Sequence, residues 1–387
     1  MAYEECITLV SFLKGVPDVR QARGKQYELW VLLTILCVAI LSGQKTIWGI
    51  VEWALRHAGE LIGFLDLPKG RIPSRSTFYL TLRRIGIAGL ERKIAEMGTA
   101  MERENRLSES LRGADGSLLR GLAVDGKDLR GARAHGNQTF LVSLVGHGDG
   151  LVLGQEAVDV KTNEITVVPK LLAGRDLRGV VITMDALLAQ RALASQITAA
   201  QGDYLMVVKR NQPQLWQDID LLFQAPPLDR SEAKHDTVVR HTQAHGRKEC
   251  RTLETSAALS AYLQWPGAAQ VMRRTYHAVD LRTGEITHEV VYGITSLPPR
   301  RAQAKQLAEL WRGHWTIENR AHYVRDETFG EDRCQLHTGH SAQAFAALRN
   351  AVLNVLRYQG WSSIPSAIRR YGASLQQALQ LLGVPTT

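Results

Sequence analysis

Cysteine is scarce in this sequence, and the four that occur lie far apart. Cys6, Cys37, Cys250 and Cys334 form no CxxC pair, which excludes a disulfide framework and a zinc ribbon as the basis of the fold. A chain of 387 residues needs neither, because it can form two or three domains that each bury a hydrophobic core. Unpaired cysteines are typical of a reducing compartment, so we expect the cytoplasm.

A long hydrophobic run is also missing. The longest uncharged apolar stretch, residues 29–44 (LWVLLTILCVAILSGQ), is shorter than the roughly 20 residues that span a bilayer, and we interpret it as a buried helix. The N-terminal MAYEECITLV has acids where a secretory signal has basic residues. No long basic amphipathic helix with an aromatic face is evident either, so a membrane partner is not expected.

Acidic residues are outnumbered by basic ones. The chain has 47 Lys and Arg against 38 Asp and Glu, a formal net charge of +9 and a pI near 9.5. Hydrophobic residues make up 45% and charged residues 22%, a balance typical of globular proteins and not of disordered ones. The excess of positive charge indicates a polyanionic partner, and nucleic acid is the first candidate.

The first 112 residues have apolar positions at three-and-four spacing, which predicts an all-helical N-terminal domain. Within it Ser74 is a predicted helix cap. Residues 69–84 contain five basic side chains and no acid. A helix there could bind DNA, although a solvated basic face would show the same charge run. The candidate DNA contacts in this stretch are Arg71, Arg75, Arg83 and Arg84.

The hydrophobic period changes to two after the helical region. Residues 113–211 contain three strand-like runs and then a helix, a strand, a helix and a strand. This β-β-β-α-β-α-β succession predicts an α/β, ribonuclease H-like catalytic core. Residues 212–292 read as a β-rich insertion, residues 293–360 as helices that complete the core, and residues 361–387 as a basic helical tail.

Two aspartates directly follow apolar runs that should be buried strands. Asp125 ends GLAVD and Asp185 ends VVITMD, so both carboxylates would emerge at strand ends, where they could hold a metal. Each also has a structural explanation. Asp125 forms a turn pair with Gly126, and Asp185 could cap a helix that begins at Ala186.

The third candidate acid is Glu318. It lies in a stripe of mostly aromatic and basic residues at helical spacing, which predicts that they share one face of a helix. An ion pair between Glu318 and His314, His322 or Arg325 is the structural alternative. The other members of the stripe are Trp311, Trp315, His322, Arg325 and Phe329.

Three carboxylates that converge from two strand ends and a helix could hold the two divalent metals used in phosphodiester cleavage. Carboxylate oxygens suit Mg²⁺ or Mn²⁺. His235, His241, His245 and Cys250 show no zinc-ligand spacing. Three basic residues near the acids, Lys127, Lys209 and Arg325, are candidates for clamping a phosphate.

Several motifs in this chain resemble one family along nearly its whole length. RGKQYELWVLL, PSRSTF, AVDGKDLRG, ITMDALLAQ, GDYLMVVKRNQP and RGHWTIENRAHYVRDETFGED occur in the family's order. The chain thus resembles the DDE transposases of bacterial insertion sequences, in the group of H-repeat-associated and ISAs-type proteins. The resemblance implies a ribonuclease H-like core in which Asp125, Asp185 and Glu318 bind two Mg²⁺ or Mn²⁺ ions per active site.

The resemblance also implies a counterpart of the tyrosine-arginine-glutamate-lysine signature of related transposases. It would fall on Trp311, His314, Glu318 and Arg325, of which only the glutamate is identical. His314 and Arg325 would then face DNA. Additional residues expected near the metals are Trp311, Trp315, Asn319, His322 and Asp326.

A DDE transposase would bind the terminal inverted repeats of its own element, cut there and join the ends to target DNA. We expect double-stranded DNA as the partner, a homodimer on DNA, and a nucleoid-associated location in the cytoplasm. Two alternatives remain open. One is an inactive or domesticated DNA-binding relative, and the other is a ribonuclease H-like nuclease without strand transfer.

Overall fold

The computed structural model of the chain describes residues 7–21, 25–105, 110–132, 139–158, 164–225, 235–244 and 246–386. Two compact units are present. The first unit comprises Met1–Leu107, Gly126–Asn163 and Thr316–Thr387, and the second comprises Ser108–Asp125 and Glu164–Trp315. The prolines at 226 and 227 and His245 lie outside the described residues.

The fold is mixed α/β, with helices and a large sheet of parallel and antiparallel strands. The helices are α1 (Leu9–Lys14), α2 (Leu29–Leu41), α3 (Ile47–Arg56), α4 (Ala58–Leu65), α5 (Arg75–Arg84), α6 (Ile87–Asn105), α7 (Val168–Leu172), α8 (Arg191–Ala199), α9 (Pro213–Gln224), α10 (Ala304–Gly313), α11 (Ser341–Tyr358), α12 (Ile364–Gly372) and α13 (Leu375–Leu382). The strands are β1 (Leu111–Arg112), β2 (Leu118–Asp128), β3 (Phe140–Gly146), β4 (Val152–Val158), β5 (Val180–Met184), β6 (Asp203–Val208), β7 (His235–Ala244), β8 (Arg247–Ser256), β9 (Gln270–Asp280) and β10 (Ile286–Thr295).

The apolar segment at the start of the chain forms the buried helix that its length predicts. All residues of α2 except Trp30 are buried, because its side chains are apolar on every face and it must be enclosed on all sides. Among the described residues, no helix has both the length and the hydrophobicity that a bilayer crossing requires.

Helix α5 begins where the sequence predicts. Ser74 Oγ accepts a hydrogen bond from the backbone N–H of Thr77 at 3.3 Å, which satisfies one of the unpaired donors of the first turn. Phe78, Thr81 and Leu82 are its buried side chains. The six helices α1–α6 belong to the first unit together with residues 126–163 and 316–387, so a separate N-terminal domain stays a prediction.

In the first unit the sheet has the order β4-β3-β2, and β3 and β4 are antiparallel. Helix α11 is joined to β4 by a side-chain clamp. Asn354 Oδ1 accepts from the N–H of Val152, and its Nδ2 donates to the carbonyl of Val152, each at 2.8 Å. A core cluster of Leu129, Ala132, Leu141, Ala342 and Ala346 joins α11 to the end of β2.

In the second unit the sheet has the order β2-β5-β6-β10-β9-β8-β7. β2, β5 and β6 are parallel, whereas β10 is antiparallel to β6, and β7–β10 are antiparallel to one another. The strand runs predicted on both sides of residue 212 are therefore confirmed. A hydrophobic core cluster of the second unit contains Leu119, Val181, Leu205, Leu253, Met272, Leu297, Ala302, Leu307, Leu310 and Trp311.

Two helices differ from their sequence prediction. The helix expected from Ala186 begins at Arg191, in α8. The helix predicted to carry the stripe from Trp311 to Phe329 ends at Gly313, and the chain continues as the π-helical segments Ile317–His322 and Val324–Thr328. In the second segment the N–H of Phe329 bonds to the carbonyl five residues back, that of Val324, at 3.1 Å. Wider turns displace side chains from the 3.6-residue period on which the predicted stripe depended.

Candidate active site

Asp125 and Asp185 lie at equivalent positions on neighbouring parallel strands. Val124 of β2 pairs with Met184 of β5, and the next residues along the two strands are the two aspartates. Adjacent strands are about 4.8 Å apart, and both strands are buried before this point. The two half-buried carboxylates therefore leave the same edge of the second unit's sheet together.

Asp185 closes a turn and does not cap a helix at Ala186. Its Oδ1 accepts from the N–H of Leu188 at 3.2 Å, and Asn211 Nδ2 donates to the carbonyl of Ala186 at 2.7 Å. The turn is thus held from both sides, which fixes the direction in which Asp185 leaves β5.

Glu164 is a neighbouring acid that the sequence did not reveal. Burial raises the pKa of the Glu164 carboxyl, and the negative charge of Asp185 raises it further. Nothing in the local sequence indicated this proximity, because the two acids are 21 positions apart and meet only through the fold.

His314 contacts the strand that carries Asp185. Its Nδ1 lies 3.0 Å from Thr183 Oγ1 on β5. Trp311 is buried beneath the guanidinium of Arg274, 5.3 Å from the ring centroid, but Trp315 is 55% exposed. The two tryptophans of the predicted stripe therefore differ in burial.

Glu318 presents an exposed carboxylate next to a buried histidine. Its side chain is 57% exposed, and Oε2 lies 3.3 Å from Nδ1 of His322. The hydrogen bond from His322 lowers the pKa of Glu318, burial opposes this, and the charge of Lys127 lowers it further. Burial lowers the pKa of His322. Glu318 is thus an ionised carboxylate near neutral pH, oriented by an imidazole, and Asn319 beside it is exposed.

Lys127 is buried at the end of β2 and is paired with acids. Its Nζ donates to Asp326 Oδ2 at 2.6 Å and lies 3.6 Å from Asp332 Oδ1. Burial raises the pKa of Asp326, and Lys127 only partly offsets this. The ammonium that we expected to clamp a phosphate is therefore engaged with carboxylates of the protein.

Arg325 has no exposed surface. Its Nη2 lies 2.7 Å from Glu331 Oε1, and the other oxygen of Glu331 lies 3.3 Å from Arg349 Nη1. Burial raises the pKa of Glu331, but the two guanidiniums outweigh burial and hold it below its usual value. A fully enclosed guanidinium cannot meet a phosphate without rearrangement, which corrects the expectation for Arg325.

The N-terminal arginines are placed differently. Arg71, Arg75, Arg83 and Arg84 are all exposed, and the guanidinium of Arg75 stacks 4.0 Å from the ring centroid of Trp48. Lys209, which follows β6, is exposed as well. These five cations remain available to a polyanion.

Two family profiles match the chain. The profile described as "Transposase DDE domain" matches residues 116–355, and the one described as "DDE_Tnp_1-associated" matches residues 10–96. The chain belongs to the DDE transposase family. It is a DNA transposase of the insertion-sequence type, in the H-repeat-associated group, as its motifs predicted.

Curated relatives of this transposase match along most of their length. "Putative transposase YncI" of Escherichia coli O157:H7 is 27% identical over 90% of this chain and 87% of its own. "H repeat-associated putative transposase YhhI" of Escherichia coli K12 is 28% identical over 90% of each chain. The cryo-EM structure of the piggyBac transposase synaptic complex with hairpin DNA superposes with a TM-score of 0.43 at 11% identity, over 98% of this chain and 80% of that one.

Transposases of this family use divalent metal ions, and the donor types in this chain fit such ions. Asp125 and Asp185 offer carboxylate oxygens from neighbouring strands, and Glu318 offers an ionised carboxylate from the π-helical segment. Hard oxygen donors favour Mg²⁺ or Mn²⁺ over softer metals.

Proposed function

We propose that this transposase binds the terminal inverted repeats of its insertion sequence, cuts the DNA at their ends and joins the ends to a target. In this proposal Asp125, Asp185 and Glu318 hold two Mg²⁺ or Mn²⁺ ions. The main support is the register between β2 and β5, which brings two carboxylates to one sheet edge in a chain of the DDE family.

The assignment of Glu318 as the third acid rests on its ionised state and on its interaction with Lys127 at the end of β2. It is the exposed acid whose pKa is held low by His322 and Lys127. Lys127 also lies two residues after Asp125 on β2, and side chains at that spacing leave the same face of a strand. The end of β2 thus carries both a proposed metal ligand and the cation that acts on Glu318.

Each residue then has a distinct role. When bound, two divalent ions supply Lewis-acid activation of the attacking oxygen and stabilisation of the leaving oxygen. The three carboxylates provide the negative charge that holds such ions. His322 donates to Glu318 and keeps it oriented, since a buried imidazole with a lowered pKa remains neutral and fixed near neutral pH. No protein nucleophile is required.

We infer a ribonuclease H-like core from strands β2–β6. The adjacent strands β2, β3 and β4, followed along the chain by β5 and β6 in parallel with β2, support it, and β7–β10 would form the β-rich insertion. The helical N-terminal domain (1–112), the core (113–211 and 293–360), the insertion (212–292) and the tail (361–387) belong to the same proposal.

The proposed DNA contacts are the exposed cations Arg71, Arg75, Arg83, Arg84 and Lys209. Their exposure and positive charge support this assignment. Arg325 and Lys127 are omitted because both are buried against acids. A homodimer on DNA would pair two element ends, and a nucleoid location in the cytoplasm would follow from DNA as the partner.

The test compares cleavage of a labelled duplex that carries the element's own ends, with Mg²⁺ or Mn²⁺, by the parent chain and by Asp185→Asn. We expect cutting and strand joining by the parent and neither by the variant, because the amide removes one charge from the metal-holding set. Asp176→Asn, an exposed acid of the same unit that pairs with Arg178, is the matched control and should cut like the parent.

Other results would select the alternatives. Tight binding without cutting by the parent would indicate an inactive DNA-binding relative. Cutting without joining, and without preference for the ends, would indicate a nuclease. Undiminished cutting by Asp185→Asn would overturn the assigned triad.

A further inference from the structure

A row of four metal-ligand side chains crosses the sheet of β7–β10. His241 of β7 pairs with Cys250 of β8, Cys250 pairs with His277 of β9, and His277 pairs with His288 of β10. Directly opposed residues of antiparallel strands place their side chains on the same face, with Cβ atoms about 5 Å apart. The four side chains thus form one continuous row.

Chance does not readily explain this row. The chain has only 12 histidines and 4 cysteines among its 387 residues. The four members of the row are separated along the chain by 9, 27 and 11 positions. The sequence spacing therefore resembled no zinc motif, and only the register of three strand pairs brings these residues together.

The row lies on an open part of the sheet. Residues two apart on a strand share a face, so the row shares its face with Arg273 and Tyr292, which lie against α9 through Phe223. The row lies four residues farther along the strands than Arg273 and Tyr292. There His241, His277 and His288 are exposed and Cys250 is half-buried. Solvent and ions can therefore reach the row.

We propose that His241, Cys250 and His277 bind one transition-metal ion of the zinc class. The central thiolate would lie beneath the ion, and the two imidazoles would close on it from the strands on either side. Imidazole and thiolate are the donors that Zn²⁺ and Co²⁺ prefer, at about 2.0–2.3 Å. The fourth coordination position stays open to water.

The ladders hold the backbones in register, so closure on an ion would occur by rotation of the three side chains. His288 extends the row beside His277, with ring centroids 6.2 Å apart in an edge-on arrangement, and it would support that imidazole and not ligate. On binding, the Cys250 thiol loses its proton to the buffer, the sulfur–metal bond forms, and no redox change occurs.

The site is separate from the proposed carboxylate triad in chemistry. The triad offers hard oxygens, which favour Mg²⁺, and the row offers nitrogen and sulfur, which favour zinc. The ion would join β7, β8 and β9, so binding should stabilise the folded chain as the zinc concentration rises.

The experiment uses the full chain without a polyhistidine tag, titrated with Co²⁺ and then displaced with Zn²⁺. We expect a thiolate-to-cobalt charge-transfer band that corresponds to one ion per chain. Cys250→Ser should abolish the band, and His241→Gln and His277→Gln should each weaken binding at least tenfold. Two matched controls in the first unit, Cys334→Ser and His337→Gln, should bind like the parent.

Each other outcome decides against the proposal. A band that persists in Cys250→Ser would place the ion elsewhere, and His241→Gln with unchanged affinity would reduce the site to a two-residue contact. The unfolding midpoint provides a second measurement, and a rise with Zn²⁺ in the parent but not in Cys250→Ser is expected. None of these readouts depends on DNA cleavage, so the outcome is independent of the proposed function.

Discussion

Two populations of positive charge can be distinguished among the described residues of this transposase. Arg71, Arg75, Arg83 and Arg84 are exposed around helix α5. By contrast, Lys127, Arg325 and Arg349 are buried and paired with Asp326 and Glu331. The first population can release counterions from DNA. The second neutralises acids inside the protein and cannot.

This contrast shows how little the net charge of +9 says about binding. A charge moved from water into the interior loses its hydration, and it is tolerated only if an opposite charge compensates it. Glu331 supplies that compensation for two arginines. Burial and partners, and not the count, decide which cations meet a polyanion.

The largest effect is expected from removing the central acid of the buried population. Glu331→Gln leaves Arg325 and Arg349 uncompensated, and breaking a buried pair costs about 3–5 kcal/mol of unfolding free energy. Denaturant unfolding measures this. Glu327→Gln, an exposed acid on the neighbouring segment, is the control and should change stability by less than about 0.5 kcal/mol. Equal stability of the two variants would show that the buried network contributes nothing.

A buried acid that is hydrogen-bonded to amide side chains should behave differently. Burial raises the pKa of Glu91 to about 7, although Gln155 and Gln343 donate to it at 2.8 and 2.9 Å. The pKa of Glu91 is higher in the folded chain than in the unfolded chain. The contribution of this carboxyl to the free energy of unfolding is therefore fully present below about pH 4.5 and is lost as the pH rises through about 7.

Glu91→Gln should therefore stabilise the chain at pH 8 by up to about 3 kcal/mol, since a raised pKa costs about 1.4 kcal/mol per unit, and should have little effect at pH 5. Unfolding free energies of parent and variant over this pH range test the sign. A variant that is less stable than the parent at pH 8 would contradict it.

DNA binding separates the two populations directly. Each phosphate contact contributes about 0.9 to the slope of log affinity against log salt. Arg83→Ala with Arg84→Ala should reduce that slope by about 2, Lys209→Met should reduce it by about 1, and Lys127→Met should leave it unchanged. Fluorescence anisotropy at several salt concentrations measures the slopes. A reduced slope for Lys127→Met would return Lys127 to the DNA contacts.

The smallest effect concerns the stacked pair on the exposed side. Trp48→Ala removes the ring beneath Arg75, and an exposed cation–π contact is worth about 0.5–1 kcal/mol. We expect a loss of DNA affinity of no more than fivefold with an unchanged salt slope, because Arg75 keeps its charge. The same anisotropy assay decides, and a changed slope would mean that the ring itself holds a phosphate-binding geometry.

Much of the local structure was predictable. The Ser74 cap of α5 and the apolar run of α2 were predictable because each depends only on residues close by in the sequence. Short apolar runs predicted the strands that end near Asp125 and Asp185, because buried parallel strands have few polar positions. The helix predicted through Glu318 failed after Gly313, since a change from 3.6 to wider turns leaves no mark in hydrophobic spacing.

The sequence by itself determined which residues could act as metal ligands, most of the segments that form strands and helices, and the family to which the chain belongs. Tertiary structure alone decided that Arg325 and Lys127 are buried, that Asp185 lies near Glu164, and that His241, Cys250 and His277 form a row. The reason is physical. Propensity and periodicity act between near neighbours, whereas desolvation and strand register depend on residues tens or hundreds of positions away.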